Sequence, residues 1–435
     1  MARAMKDSGI EWIGEIPEGW EISRIKYVAD FEPKCDFSNL SADDTVTYTP
    51  MENIKNGFYI PNTATLGTLS TSLTAYQDND IVMAKVTPCF ENGNIAVMSG
   101  LSSGVGLGSS ELFVFRAKEM QTRYLFYWLQ NKAFVEQAKS TMTGTGGLKR
   151  VSPQFMRDCA IHCPPPDEQA QISVFLDAEC ARIDAVIEQT RASIEEYKKL
   201  KQSVITQAVT KGIRPGRKMK DSGSKWIEEV PAEWEVIISR FVLDQIGDVD
   251  HYMPESVDAG IPYIMTGDLK KLLSEVDLDS CKKITREDYE TLCKKIKLSI
   301  GDIIFARYAT IGTVCYVDTE IACVVSYSCV TIKPMKDKLF GKYLYYYLQA
   351  STFLEDVSQY VNSNTQGNVG IEALYKVKIP IPSIQEQSEI SDYLDNKVVE
   401  LESLIKKKEL LLSELNNYKK SLIFEYVTGK KAVVI

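Results

Sequence analysis

The sequence contains little that could bind a metal ion or cross a membrane. Only two histidines, His162 and His251, occur among its 435 residues, and neither lies near cysteines or carboxylates at the spacing of metal ligands, so we predict no zinc site. It has no run of about 18 apolar residues, and the opening MARAMKDSG lacks the apolar stretch of a signal peptide. We therefore expect a cytoplasmic protein that is not bound to a membrane.

Paired cysteines and net positive charge are also absent. The ten cysteines are scattered without paired spacing, which favours reduced and mostly buried thiols; Cys315, Cys323 and Cys329 lie in apolar sequence and are expected in a core. The net charge of −9 argues against a general DNA-binding protein, because affinity for phosphates comes from lysine and arginine. A role in DNA binding would need positive charge concentrated on particular loops.

Sequence motifs for catalysis are missing as well. Residues 144–149, GTGGLK, have neither the spacing nor the final hydroxyl of a phosphate-binding loop of ATPases. An adenine methylase should have a glycine-rich cofactor loop and an Asn/Asp-Pro-Pro-aromatic motif, whereas CPPPD at 163–167 is only a proline-rich helix start. We predict that the chain is not an enzyme and holds no cofactor.

What the sequence does contain is an internal repeat, the first feature to seek in a long chain. MKDSGIEWIGEIPEGWEISRIKYVAD at 5–30 returns as MKDSGSKWIEEVPAEWEVIISRFVLD at 219–244. The other matching pairs of segments are 80–85 with 302–307, 124–130 with 343–349, and 151–212 with 369–430. Between them, residues 33–73 and 248–296 have little in common. One frame therefore carries two different inserts.

Each repeat is predicted to begin with a mixed α/β or α+β globular part. Stretches rich in Val, Ile, Phe and Tyr predict strands at 80–98, 111–115, 302–317 and 328–332. Aromatic and leucine residues at helical spacing predict packed helices at 124–139 and 342–360, with the aromatics in the core.

Each repeat is predicted to end in a helix of about 45 residues, or roughly 65 Å. Ser383 and Glu386 form a capping-box pattern at the start of the second helix. Gly212, followed by Pro215, and Gly429 mark the two helix ends.

Heptad spacing runs through both predicted helices, which favours an antiparallel coiled coil that separates two globular domains. The heptad positions are Leu176, Cys180, Ile183, Ile187, Thr190, Ile194, Tyr197, Lys201, Val204 and Ala208 in the first helix and Leu394, Val398, Leu401, Ile405, Lys408, Leu412, Leu415, Lys419, Leu422 and Tyr426 in the second. Lys201 and Lys419 fall at equivalent positions, where they either fix the register or extend out of the stripe.

The duplicated opening, the helix starts PPPDEQ and PSIQEQ, and the helix ends AVTKG and YVTGK together resemble the specificity (S) subunits of type I restriction-modification enzymes over essentially the whole chain. The resemblance implies target recognition domains at 1–160 and 215–380, each of which reads half of a split, asymmetric DNA site. It also implies that the helices at 161–214 and 381–435 bind two adenine-methylating modification subunits, which restriction subunits join. S-adenosylmethionine, ATP and Mg²⁺ would then be needed only in those partner subunits.

Base readout needs long polar side chains on exposed loops. Lys85 and Arg307 occupy equivalent positions after a buried strand, and the loops at 141–150 and 362–368 combine a flexible backbone with hydrogen-bond donors. The candidate DNA-binding residues are Lys85, Thr87, Lys149, Arg150, Arg307, Tyr308, Asn362, Asn364 and Gln366. Solvated strand ends and ordinary polar turns are the alternative interpretation of the same residues.

Two other functions fit parts of this sequence. A coiled-coil scaffold with two protein-binding domains would suit the acidic net charge. A nuclease or methylase with an unfamiliar site is the third possibility. Binding to random DNA duplexes and activity of the isolated chain would separate the three.

Overall fold

The structure, a computed structural model, describes residues 3–308, 310–362 and 368–433. Contacts divide the chain into a first unit, Met1–Arg191 with Leu410–Ile435, and a second unit, Ala192–Glu409. Each long helix is therefore shared between the two units. The predicted segments 1–160, 161–214, 215–380 and 381–435 divide the chain along its sequence, a different kind of division that stays a prediction.

The first unit contains short strands and helices in addition to its parts of the long helices. Its strands are Met5–Asp7, Glu15–Pro17, Glu21–Arg24, Ala29–Phe31, Thr45–Thr49, Thr63–Thr65, Thr74–Gln77, Ile81–Ala84, Ile95–Val97, Val105–Gly108, Leu112–Ala117 and Ala160–Cys163. Its short α-helices are Ile25–Val28, Thr122–Trp128, Lys132–Ser140 and Pro153–Asp158, and its 3₁₀ turns are Met51–Asn53, Leu66–Thr68 and Ser102–Gly104.

The second unit has a closely similar order of elements. Its strands are Met219–Asp221, Glu229–Pro231, Glu235–Ile238, Leu243–Gly247, Ile261–Ile264, Lys282–Ile284, Ile303–Ala306, Val314–Tyr316, Val324–Val325, Cys329–Pro334, Val361–Asn362, Asn368–Val369 and Lys378–Ile381. Its short α-helices are Arg286–Leu292, Gly341–Tyr347, Ser351–Ser358 and Ile371–Leu374, and its 3₁₀ turns are Ser239–Phe241, Thr266–Asp268 and Leu273–Glu275.

Each unit is built on a four-stranded antiparallel sheet, which we call the frame sheet. In the first unit the strand order is Ala29–Phe31, Leu112–Ala117, Ile81–Ala84, Ile95–Val97. In the second it is Leu243–Gly247, Cys329–Pro334, Ile303–Ala306, Val314–Tyr316. The central strands at 81–84 and 303–306 are buried at every position, which explains their unbroken apolar sequence. The predicted strands are confirmed.

In each unit the dissimilar insert contributes strands to a second sheet, which the sequence did not predict. In the first unit Thr45–Thr49 pairs in parallel with Val105–Gly108, and in the second Ile261–Ile264 pairs in parallel with Val324–Val325. Gly106 is needed in the first of these sheets because a Cβ there would lie 2.3 Å from the Tyr76 ring. The second sheets of the two units therefore share a parallel strand pair although the side chains of the inserts differ.

The two predicted aromatic helices are each broken in two. Helix Thr122–Trp128 ends before Asn131, whose side chain accepts a hydrogen bond from the backbone N–H of Phe134 at 3.0 Å and so begins a new helix. The second unit has the same break, between Gly341–Tyr347 and Ser351–Ser358. The aromatic residues of these segments are buried, as predicted, except Tyr360, which is 36% exposed.

The long helices are confirmed at Pro166–Lys211, 46 residues, and Ile384–Val427, 44 residues. Within each unit their segments run antiparallel: in the first unit Phe175 contacts Tyr426 and Asp184 pairs with Lys419, and in the second Tyr197 contacts Lys408 and Lys201 pairs with Glu402. All the predicted heptad positions are buried or half-buried. Each lysine of the heptad stripe donates to a carboxylate of the facing helix: Lys419 Nζ to Asp184 at 2.7 Å and Lys201 Nζ to Glu402 at 3.1 Å.

Candidate nucleic-acid interface

Residues 143–150 of the first unit form an exposed glycine loop. Its ends are held by two backbone hydrogen bonds, from Thr143 N to Arg150 O at 3.0 Å and from Arg150 N to Thr143 O at 2.8 Å. Gly144 has a φ of +148°, and a Cβ at this position would lie 2.1 Å from the carbonyl oxygen of Leu148. The loop therefore requires glycine there and holds Lys149 and Arg150 in solvent.

The glycine loop is attached to the end of a frame strand. The Thr87 N–H donates to the Lys149 carbonyl at 2.9 Å, the Lys149 N–H donates to the Thr87 hydroxyl at 2.9 Å, and the Val151 N–H donates to the Lys85 carbonyl at 3.0 Å. The structure thus brings the predicted residues Lys85, Thr87, Lys149 and Arg150 together. We call these four residues and Glu111 the first reading surface.

Glu111 is the member of this surface that the sequence analysis missed. Its carboxylate accepts hydrogen bonds from Arg150 Nε at 2.9 Å and Nη2 at 2.6 Å. The hydrogen bond from Arg150 holds the pKa of Glu111 below its ordinary value, and the nearby Lys85 ammonium acts in the same direction. Lys85 lies over the Phe113 ring at 5.6 Å, while Lys149 has no carboxylate partner among the described residues.

The second unit has the same backbone arrangement with different side chains. Tyr308 forms a β-bridge with Asn368, as Val86 does with Arg150, and the Val369 N–H donates to the Arg307 carbonyl at 3.1 Å. Asn362 lies in a strand that pairs with Asn368. Asn364 and Gln366 lie outside the described residues.

The side chain of Arg307 turns inward. It is 6% exposed, forms an ion pair with Asp248, and donates to the Tyr327 carbonyl at 3.3 Å from Nε. His251 stacks on Tyr327 with ring centroids 5.0 Å apart, next to this ion pair. We call Arg307, Tyr308, Tyr327, His251 and Asn368 the second reading surface. His251 is its most exposed member, with 59% of its side chain exposed, whereas Arg307 is held in the ion pair with Asp248.

The internal repeat contains a signal that could have found Glu111. It aligns Lys85 with Arg307, Glu111 with Ser328 and Arg150 with Asn368. A charged residue that differs between the repeats at a matched position of the frame is a candidate for a surface that differs between the two units. Asp248 and His251 gave no such signal, since they lie in the insert 248–296, whose sequence has little in common with the insert of the first repeat.

The duplicated motifs at the helix starts hold each unit together. The Glu168 carboxylate accepts from Trp20 Nε1 at 2.8 Å and pairs with Arg3, and Glu386 accepts from Trp234 Nε1 at 3.2 Å and pairs with Arg217. Only half of the predicted capping box forms: the Glu386 N–H donates to the Ser383 hydroxyl at 3.3 Å, but the Glu386 carboxylate binds Trp234 and Arg217.

Each unit is also completed by the end of a long helix. The Tyr124 hydroxyl donates to the Val427 carbonyl at 3.0 Å in the first unit, and the Tyr343 hydroxyl donates to the Val209 carbonyl at 2.9 Å in the second. These bonds satisfy carbonyls that the last helical turn leaves without partners. The helix ends thus belong to the cores of the units.

Other kinds of site find little support in the part of the chain that is described. No group of three or more His, Cys, Asp or Glu residues there is arranged to hold a metal ion. None of the described helices is long and apolar enough to span a membrane.

Two copies of one α+β frame, each with its own insert and its own polar surface, define a duplicated binding protein. The family model for the type I restriction modification DNA specificity domain matches residues 17–196 and 247–412, most of the chain. The chain belongs to this family, and the resemblance seen in its sequence is confirmed.

Named relatives are similar over different lengths. The type I restriction enzyme EcoEI specificity subunit of Escherichia coli is 30% identical over 196 residues, 44% of this chain and 33% of that relative. The chain thus matches about a third of the length of this relative. The MjaVIII specificity subunit of Methanocaldococcus jannaschii is 24% identical over 438 residues, 95% of this chain and 93% of the relative.

Two solved structures have a similar fold. A chain from a structural study of complex assembly and conformational transition of the type I R-M system has a TM-score of 0.71 and 18% identity, and covers 96% of this chain and 99% of its own length. The HsdS subunit from Thermoanaerobacter tengcongensis has a TM-score of 0.52 and 20% identity, over 96% and 98% of the two chains.

Proposed function

We propose that this chain is the DNA sequence-specificity subunit of a type I restriction-modification complex and that each unit reads one half of a split, asymmetric duplex site. The observation that carries the proposal is the pair of reading surfaces. They lie on the same frame, yet the first has Arg150 and Glu111 where the second has Asn368 and Ser328, and the second adds His251 from its insert. A frame that stays constant while its polar surface changes suits a protein that selects two different sequences.

The overall acidity does not oppose this role. Lys85, Lys149 and Arg150 outnumber Glu111 on the first reading surface, which therefore keeps local positive charge in a chain whose net charge is −9. Local charge of this kind attracts phosphates even when the whole protein is acidic. The complex would supply further basic surface through its partners.

The partners in this proposal are two modification subunits, joined by restriction subunits. The heptad residues are used in pairing the chain's own helix segments, so partners would bind other surfaces. Tyr27 and Phe241 are equivalent in the repeat, are 64% and 60% exposed, and follow the basic residues Lys26 and Arg240. A duplicated exposed aromatic residue suits two copies of one partner.

Chemistry would belong to these partners, with S-adenosylmethionine, ATP and Mg²⁺ bound there, and we expect the complex in the cytoplasm. The scaffold alternative explains the helices but gives no reason for the difference between the two reading surfaces. Membership in the specificity family favours DNA recognition over that alternative.

The test is to assemble the full chain with the modification subunits of its own system and select from random DNA duplexes. We expect a two-part motif with a fixed gap. Replacing residues 15–160 by those of another specificity subunit should change one part only, and replacing 229–378 should change only the other. Enrichment of no motif, or a change of both parts by one replacement, would contradict the proposal.

A further inference from the structure

The ion pair between Arg150 and Glu111 holds one edge of the guanidinium and leaves the other edge free. Glu111 binds the side edge, through Nε at 2.9 Å and one hydrogen of Nη2 at 2.6 Å. The second hydrogen of Nη2 and one hydrogen of Nη1 point in parallel from the end of the guanidinium, and Nη1 has no hydrogen-bond partner among the described residues. Two parallel donors therefore remain available at the tip of the side chain.

The backbone of Arg150 is held as firmly as its side chain. It exchanges two hydrogen bonds with Thr143 and forms a β-bridge with Val86, and the next residue, Val151, donates to Lys85. The side chain nevertheless stays accessible, since 48% of its surface is exposed compared with 29% for Glu111. A donor pair oriented in advance in this way loses little entropy when it binds a ligand.

The chemistry of the free edge matches guanine. In the major groove guanine presents O6 and N7 as two adjacent acceptors, and a bidentate arginine is the commonest specific contact to them. A phosphate is a poorer match, because the Glu111 carboxylate beside it would repel its negative charge. The low pKa of Glu111, caused first by its hydrogen bond from Arg150, keeps that carboxylate ionised at neutral pH.

We propose that Arg150, oriented by Glu111, reads one guanine in the half-site bound by the first unit; this inference rests on the proposed function. Arg150 contacts the base, and Glu111 is a positioning residue. The second unit has Asn368 and Ser328 at the equivalent positions and cannot form the same pair. The guanine contact therefore belongs to one half-site only.

The test compares variants of the full chain, each assembled with its modification subunits and selected on random duplexes. Arg150→Ala should lose about 10- to 100-fold of the preference for G·C at one position of one half-site. Arg150→Lys keeps the charge but not the fork, so it should lose most of the same preference. Glu111→Gln should weaken preference at that position less than Arg150→Ala does. Lys139→Ala, which removes a helix-surface lysine of the same unit, should leave the motif unchanged.

Modified DNA gives a second measurement. Replacing that guanine by 7-deazaguanine removes the N7 acceptor, so it should weaken binding of the unchanged chain at least several-fold and have almost no effect on Arg150→Ala.

The outcomes separate this inference from the proposed function. An unchanged motif in Arg150→Ala, or an equal loss of affinity for all duplexes, would overturn the guanine contact while the two-part motif of the unchanged chain still stands. If the unchanged chain selects no two-part motif, the proposed function itself fails. Retention of the other half-site in each variant shows that the complex has folded and assembled.

Discussion

Equivalent side chains of the two frames lie in different environments. Lys85 in the first unit is half-buried against Phe113 and lies beside an exposed ion pair, whereas its equivalent Arg307 is buried in an ion pair with Asp248. The backbone hydrogen bonds around the two residues are nevertheless equivalent, from Val151 to Lys85 and from Val369 to Arg307. The difference shows that the insert, which supplies Asp248, decides where a frame side chain points.

The helix junctions behave in the opposite way. Trp20, Glu168 and Arg3 in the first unit have Trp234, Glu386 and Arg217 as matched equivalents, with the same contacts. These contacts fix the path of the chain where a strand, a helix start and a helix end meet. The junction residues are thus duplicated without change, whereas the side chains of the two reading surfaces differ, as the proposed selection of two different half-sites requires.

The largest effect is expected from removing the junction tryptophans. Trp20→Ala and Trp234→Ala each remove a fully buried ring and should lower the free energy of unfolding of their own unit by about 3–5 kcal/mol. Hydrogen exchange resolved by peptide would measure each unit separately. Tyr27→Ala is the control, because that ring is exposed and its loss should cost about 0.5 kcal/mol or less. A much smaller effect of either tryptophan would contradict the equivalence of the junctions.

The next effect concerns the buried ion pair that only the second unit has. Arg307→Ala leaves Asp248 buried, and His251 and Lys295 compensate it only partly, at 3.3 Å and 3.8 Å, so the unit should lose about 3 kcal/mol in urea unfolding. Lys85→Ala at the equivalent position should lose about 1 kcal/mol or less. Replacing both charges, Arg307→Met with Asp248→Leu, should recover most of the loss. Equal costs for Lys85→Ala and Arg307→Ala would refute the difference between the two positions.

A third difference between the units should depend on pH. His162 is buried in the first unit, where Trp128 Nε1 donates to its Nδ1 at 2.8 Å, and the repeat has Pro380 at the equivalent position. Burial, with a smaller contribution from Lys430, lowers the pKa of His162 from 6.5 to about 4. The unfolded chain therefore binds this proton at a higher pH than the folded chain does.

The stability that neutral His162 provides is complete above pH 6.5 and is lost progressively as the pH falls to about 4, by about 3 kcal/mol in total. Unfolding measured between pH 7 and 4 should show this loss in the first unit. His162→Gln should remove this part of the pH dependence, whatever its own cost at pH 7. An unchanged slope in the variant would show that other groups cause it.

Sequence reasoning predicted the parts of this molecule that depend on local patterns. Heptads, helix-ending glycines and apolar strands gave the long helices and the frame sheet because each signal lies within a few residues. The second sheet of each unit was missed, since its parallel pairing, of 45–49 with 105–108 in the first unit, depends on backbone contacts between distant segments. The loop at 141–150 was predicted because its glycines and hydrogen-bond donors lie within a few residues, whereas the contact of Arg150 with Glu111 and the burial of Arg307 depend on the folded chain.

The smallest effect is expected from Lys149, which lies next to Arg150 at the end of the glycine loop and has no carboxylate partner among the described residues. Its side chain is exposed and has no carboxylate neighbour to orient it, as Glu111 orients Arg150. We therefore predict that it contacts a phosphate. Lys149→Ala should leave stability unchanged and weaken binding of all duplexes by the same few-fold factor at physiological salt. The slope of log K against log salt should fall by about 0.9, and the selected motif should not change. A changed base preference would instead make Lys149 part of base readout beside Arg150.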